Sequence, residues 1–149
     1  MSERGGEDAI GVAVLFHQVY AAATERLDAI LRPMDLTARH LSVMFLIRDG
    51  VQTQRDLVAR LGMDKTGMVR TVDDLERQGF VSRTPSAIDR RVGILELTDA
   101  GLQALRTAQT HTRGVADELF AAVSADELTV LKSTLARALE GLRASSEGG

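Results

Sequence analysis

Arg83, Arg90 and Arg91 surround a short segment that also holds Pro85 and Asp89, and Lys65, Thr66 and Arg70 crowd one stretch just upstream. Cationic and hydroxyl side chains grouped in this way bind anions. Arginine reads a guanine edge through paired hydrogen bonds to O6 and N7. Thr66 and Arg70 stand four apart, so on a helix they project together, and Lys65 beside them can swing to a phosphate. Catalysis needs a nucleophile, a base and an orienting group in concert, and no such set stands out. His17, His40 and His111 fall on three separate predicted helices, without a tight ligand pair, and the chain has no cysteine and no glycine-rich phosphate loop. Satisfied or exposed histidines are the expectation, with no catalytic residue, no metal site, no cofactor and no thiol switch.

The run from Asp89 to Gly101 would position the second cationic group. Gly93, Leu95 and Leu97 fall on one side of an extended chain, and Ile94, Glu96 and Thr98 on the other. A strand with one apolar side lies on a core. Val81 to Thr84 is a partner strand. Thr84 to Ile88 is turn material, since Pro85 cannot donate to a ladder. The result is a hairpin with a cationic tip. Asp89 and Arg91, two apart, can pair and stiffen it, leaving Arg90 to reach a phosphate or the minor groove; the reverse division is also open. Thr98 caps a following helix, with Asp99 in its first turn.

The first cationic group belongs to two short helices. Thr53 caps one over about Gln54–Leu61, with Asp56 placed as in a capping box. Gly62-Met63 breaks it, and Asp64 caps a second that runs to about Gln78, with Gly79 as its stop. Met68, Val69, Val72 and Leu75 share one face of that second helix, with Thr66, Arg70 and Arg77 near the opposite face. Two short helices about a tight turn followed by a basic hairpin make a winged helix-turn-helix, whose second helix is shaped to enter a major groove. Gly67 offers close backbone approach to DNA or is a tolerated surface glycine. Asp73 and Asp74 would repel phosphate if they faced it, so pairing with Arg70 or Arg77 is expected.

Leu75-Glu76-Arg77-Gln78-Gly79-Phe80-Val81, the spacing of Arg83, Asp89 and Arg91, and Leu97-Thr98 with Gly101 together resemble the MarR family of transcriptional regulators. The likeness is specific from Thr37 to Gly101 and looser, in helix layout, over both flanks. It implies a dimeric winged-helix protein that binds short palindromes in double-stranded DNA and is released by a small molecule or an oxidant. Lys65, Thr66, Gly67, Arg70, Arg83, Arg90 and Arg91 would then contact DNA, with Asp89 and Arg91 stabilising the wing. Members often carry Ser or Thr at the positions of Thr66 and Gly67, so Gly67 departs from that pattern. An effector cleft between the dimer helices and the winged lobe would be lined by Phe16, Tyr20, His40, Met44 and Phe45, all equally good core residues.

The net charge of −3 argues mildly against a nucleic-acid partner, yet residues 55–91 carry eight Arg/Lys and six Asp/Glu, so the acidic excess lies elsewhere. At 149 residues the chain fits one domain. No signal peptide is visible, and the apolar run over residues 10–23 is too short and too polar to span a bilayer; a soluble, cytoplasmic protein with no membrane partner is expected. The predicted fold is mainly α with a β-hairpin wing. A first helix runs from about Asp8 to Arg32, ending at Pro33, and a second from Thr37 to about Arg48. Thr98 opens a long helix to about Ala122, and the capping box Ser124–Glu127 opens the last. Residues 34–101 form the winged lobe, and 8–33 with 102–143 a helical dimerisation region. Met1–Gly6 and Ala144–Gly149 read as unstructured or frayed.

Leu128, Leu131, Leu135, Ala138 and Leu142 form a coiled-coil-like seam on the last helix, although an ordinary amphipathic helix would look similar. Ile10, Val12, Val14, Leu15, Phe16 and Val19 wrap most of the first helix, which must then be buried on most sides. Leu15, Val19, Leu128, Leu131, Leu135 and Leu142 are therefore expected at a homodimer interface. The leading expectation is a repressor released by a small, partly apolar effector. The competing one is a winged-helix protein-interaction module without specific DNA binding, for which Gly67 and the acidic pair speak. Methionine oxidation at Met63 and Met68 stays open as a signal.

Overall fold

Pro33 ends the first helix where its missing N–H requires. In the computed structural model, which describes residues 3–148, α1 spans Glu3–Leu31 and passes into a 3-10 turn over Arg32–Met34. The helix starts earlier than the expected Asp8, so Glu3 to Gly6 are helical. Met1, Ser2 and Gly149 lie outside the described residues. The chain divides into two compact units, one ending at Val115 and one beginning at Ala116.

In the first unit α2 (Ala38–Arg48) is the central helix, with Leu41, Val43, Met44 and Ile47 all buried. Its N-terminus is held three ways. Thr37 Oγ1 accepts from the His40 amide, the Thr37 amide donates to His40 Nδ1 at 3.0 Å, and the Ala38 amide donates to Asp28 of α1 at 2.7 Å. The capping box thus uses a histidine where Glu or Gln is usual. α3 (Gln54–Leu61) and α4 (Lys65–Arg77) follow, separated by Gly62 at φ 63°, a left-handed conformation that glycine adopts without strain. Thr53 Oγ1 accepts from the Asp56 amide, which is half of the expected box.

Met68, Thr71, Val72 and Leu75 of α4 are buried, together with Leu57 of α3. Val69 is 45% exposed, which corrects the expectation that it faces inward. Thr71 takes the buried place because its hydroxyl can donate to the Gly67 carbonyl at 2.8 Å and bury no unsatisfied group. Gly79, at φ 78°, stops the helix, and the Phe80 amide returns to the Leu75 carbonyl at 2.9 Å.

β1 (Val81–Pro85) and β2 (Gly93–Leu97) pair antiparallel in a register from Val81 opposite Leu97 to Pro85 opposite Gly93. Pro85 is the last strand residue and not, as expected, part of the turn; at that terminal position its missing donor interrupts no ladder. Leu95 is buried, and its amide donates to the Gln52 carbonyl at 2.8 Å, tying the loop before α3 to the hairpin. α5 (Asp99–Leu119) closes this unit with Gly101, Ala104, Leu105 and Ala108 as its buried stripe.

The second unit is mainly α6 (Ala125–Glu147), opened by the predicted reciprocal box between Ser124 and Glu127. None of its side chains is buried in the chain as it stands. It continues to Glu147, and the hydroxyls of Ser145 and Ser146 donate to the carbonyls of Gly141 and Leu142, so the expected fraying is absent up to that point. Among the described residues no helix is long and apolar enough to cross a membrane.

Candidate nucleic-acid interface

α4 is anchored at its start by Asp64, whose carboxylate accepts from the Gly67 amide at 2.8 Å. This capping explains Gly67. A β-carbon there would stand 2.8 Å from the Asp64 carboxylate and 3.3 Å from the Arg39 guanidinium. The glycine is half-buried beneath its own cap and borders the groove between α1, α2 and α4. Lys65, Thr66, Val69, Arg70 and Asp73 lie on the exposed side of the helix.

The acidic residues of α4 are neutralised from both flanks. Asp74 accepts from Arg77 at 2.6 Å and lies 3.4 Å from His40 Nε2. The Arg77 hydrogen bond, reinforced by His40, holds the Asp74 carboxyl below its ordinary range despite partial burial. Asp73 pairs with Arg83 of β1 at 2.8 Å, and Glu76 lies 3.7 Å from the same guanidinium. Pairing of Asp74 with Arg77 follows expectation; that of Asp73 does not, since the partner comes from the wing and not from Arg70. Arg83 is consequently a tie between α4 and the hairpin. Gly93 makes room for it, because a β-carbon there would be 2.7 Å from Arg83 Cγ.

At the wing tip the Ser86 amide donates to the Val92 carbonyl at 2.8 Å, and Ser86 Oγ accepts from the amides of Ile88 and Asp89. Arg91 donates to Asp89 through Nε, through a terminal guanidinium nitrogen and through its own amide, each at 3.1 Å. These bonds hold the Asp89 carboxyl below its ordinary range. Of the two divisions of labour open in the sequence, the hairpin adopts the one that pairs Asp89 with Arg91. Arg90 is exposed and, like Arg70 and Lys65, has no ion-pair partner among the described residues.

The five residues expected around an effector cleft are not brought together. Tyr20 and His40 border a groove of about 370 Å³ between α1, α2 and α4, with Arg39 and Arg70 also on its wall. Tyr20 and Phe45 border a second groove of about 340 Å³ with Leu27, Leu41 and Met63. Met44 is fully buried, because α2 is central and turns it into the core, so it lines no cleft. Phe16 is exposed on α1 and lines neither groove. His17 and His111 are exposed, and among the described residues no group of His, Asp or Glu could hold a metal ion.

Two features escaped the sequence reading. Arg39 reaches both grooves from the exposed side of α2, and a third groove, between α3 and α4, has Val69 in its wall. A valine among Lys65, Thr66 and Arg70 was the available signal for the second.

The family model described as MarR family matches residues 34–92, from the turn before α2 to the wing. A mutant MarR from E. coli complexed with operator DNA superposes with a TM-score of 0.74 at 28% identity, over 89% of this chain and 96% of that one. Over these residues the chain is similar to the MarR family. CouR from Rhodococcus jostii RHA1, bound to p-coumaroyl-CoA, matches with a TM-score of 0.72 at 25% identity, over 83% of this chain and 88% of its own. The regulator BldR from Sulfolobus solfataricus shares the fold, with a TM-score of 0.79 at 23% identity over 92% of this chain and 99% of its own. The segment matched by the family model holds the whole cationic set, from Lys65 to Arg91.

Proposed function

We propose that this protein is a sequence-specific DNA-binding transcriptional regulator, acting as a homodimeric repressor that a small-molecule effector releases. The observation that carries the reading is the selective pairing of charge. Asp73, Asp74 and Glu76 are all taken up by Arg77, Arg83 and His40, whereas Lys65, Arg70 and Arg90 project from α4 and the wing tip without an ion-pair partner among the described residues. The acidic pair that favoured a protein-interaction module therefore no longer speaks for one. Arg70 with Thr66 would read the major groove, and Lys65, Arg90 and Arg91 would hold phosphate or the minor groove. The relative crystallised on operator DNA supports this.

Dimerisation is supported by uncovered apolar surface: Leu15 and Val19 of α1 are 59% and 43% exposed, and Leu142 of α6 is 67% exposed. Effector control is supported by the ligand-bound relative and by the two grooves that meet at Tyr20. An effector that favours the free form would change the spacing of the winged lobes and empty the operator.

Selection of bound sequences from a random DNA pool tests the function and yields the operator. A palindrome with half-sites about one helical turn apart is expected. Failure to enrich any sequence at low salt would refute the reading. A panel of aromatic acids and other small metabolites, screened for thermal stabilisation and then for operator release, tests the effector.

A further inference from the structure

The open groove between α3 and α4 has a volume of about 370 Å³ and is lined by Gln54, Arg55, Val58, Lys65, Met68 and Val69. Its floor is apolar: Met68 is fully buried and Val58 half-buried. Val69, at 45% exposure, is the large hydrophobic residue of α4 left to solvent, and it stands on the exposed side with Thr66 and Arg70. Arg55 and Lys65 are exposed cations on the rim. The amide nitrogen of Gln54 is buried in the wall without a hydrogen-bond partner.

Charge decides the occupant. An apolar notch alone would accept any small hydrophobic group, but this one is rimmed by cations that have no ion-pair partner among the described residues, and it lies on the proposed recognition helix. Its complement is a polyanion that displays a small apolar group at the edge being read. In the major groove that group is the C5-methyl of thymine, the apolar mark among the donor and acceptor patterns of the base pairs. We propose that Val69, backed by Val58 and Met68, contacts a thymine methyl in each operator half-site, with Arg55 and Lys65 on neighbouring phosphates. DNA in the groove would also supply the acceptor that the Gln54 amide lacks. The assignment rests on the DNA-binding reading and adds a base that the cationic residues do not specify.

The test uses the full-length protein and the best sequence from the random pool. Each thymidine is replaced in turn, symmetrically in both half-sites, by deoxyuridine, which keeps the base pair and removes only the methyl group. One position should weaken binding by about fourfold per half-site, or roughly fifteenfold for the pair, as expected for one buried methyl each. In Val69→Ala that preference should shrink to within about twofold, while Arg70→Ala should keep it. The ratio between the two operators is what is read, so a general loss of affinity cannot imitate the result; circular dichroism checks that each variant is folded. Neutral deoxyuridine at every position, or a penalty unchanged in Val69→Ala, overturns the inference and leaves DNA binding intact. Failure to select any operator overturns both.

Discussion

Gly101 lies against the carbonyl of Phe80 so closely that a β-carbon at Gly101 would overlap the carbonyl oxygen. The same junction is stitched by Thr98, whose hydroxyl donates to the Gly79 carbonyl at 2.6 Å and accepts from the Gly101 amide at 3.0 Å. The Thr98 amide in turn donates to Phe80. The end of α4 and the start of α5 are thus held to each other where the hairpin leaves and returns. That contact sets the base of the wing relative to α4, and only glycine fits it.

Gly101→Ala should therefore destabilise the protein by about 1–3 kcal/mol or more, as overpacking does, and should weaken the hairpin first. Gly114→Ala is the control: α5 has nothing within 4 Å of that position, so the change should stabilise by up to about 1 kcal/mol through helix propensity. Urea unfolding midpoints compare the two. Equal effects from both would mean that the junction is not tight in solution.

Arg70→Ala should weaken operator binding by about 1–3 kcal/mol and relax preference at one base pair per half-site. Arg90→Ala should weaken all sequences evenly and flatten the salt dependence by about one unit per lost phosphate contact. Arg83→Ala differs in kind, since it removes the tie to Asp73 and Glu76 and should loosen the wing before any DNA is present. Fluorescence anisotropy at several salt concentrations separates the first two, and amide exchange across β1 and β2 detects the third.

Asp89 should titrate below the ordinary carboxylate range, because Arg91 bonds to the ionised form. A depressed folded-state value contributes stability that is present above the unfolded value of about 3.9 and is lost as pH falls through the folded value. The wing should hence loosen only below about pH 4, and stay unchanged between pH 6 and 8. Carboxyl NMR titration of the wild type and of Arg91→Ala checks this; an Asp89 shift that survives the substitution would place its cause elsewhere.

Leu135→Asp should weaken or break the proposed homodimer, because it sets a charge in the apolar seam of α6. α6 keeps no buried side chain within one chain, so loss of helix content there on dissociation is expected as well. Light scattering across micromolar concentrations reads the mass. A wild type that is monomeric and fully helical under those conditions would rule out the seam as an interface.

Much of this architecture was determined locally. Helix ends are set by side chains a few residues away, and Thr37, Thr53, Asp64, Thr98 and Ser124 each cap the helix predicted for them. Gly62 and Gly79 take the left-handed turns, and the alternation around Leu95 marks the buried side of β2. The cationic set was legible for the same reason: solvated charges need no distant partner to be recognised as such. What only the tertiary structure decided concerns residues whose neighbours come from far along the chain. Asp73 chose Arg83 over the nearer Arg70 because the hairpin folds back against α4. Met44 left the expected cleft for the core because α2 is packed on several sides, and on α4 the surrounding elements cover Thr71 and leave Val69 exposed. Apolar periodicity tells which side of a helix can be buried, but the shape of the opposing surface decides which residues at its edge are. At Val69 that decision left an apolar side chain among the cations, in the wall of the groove between α3 and α4.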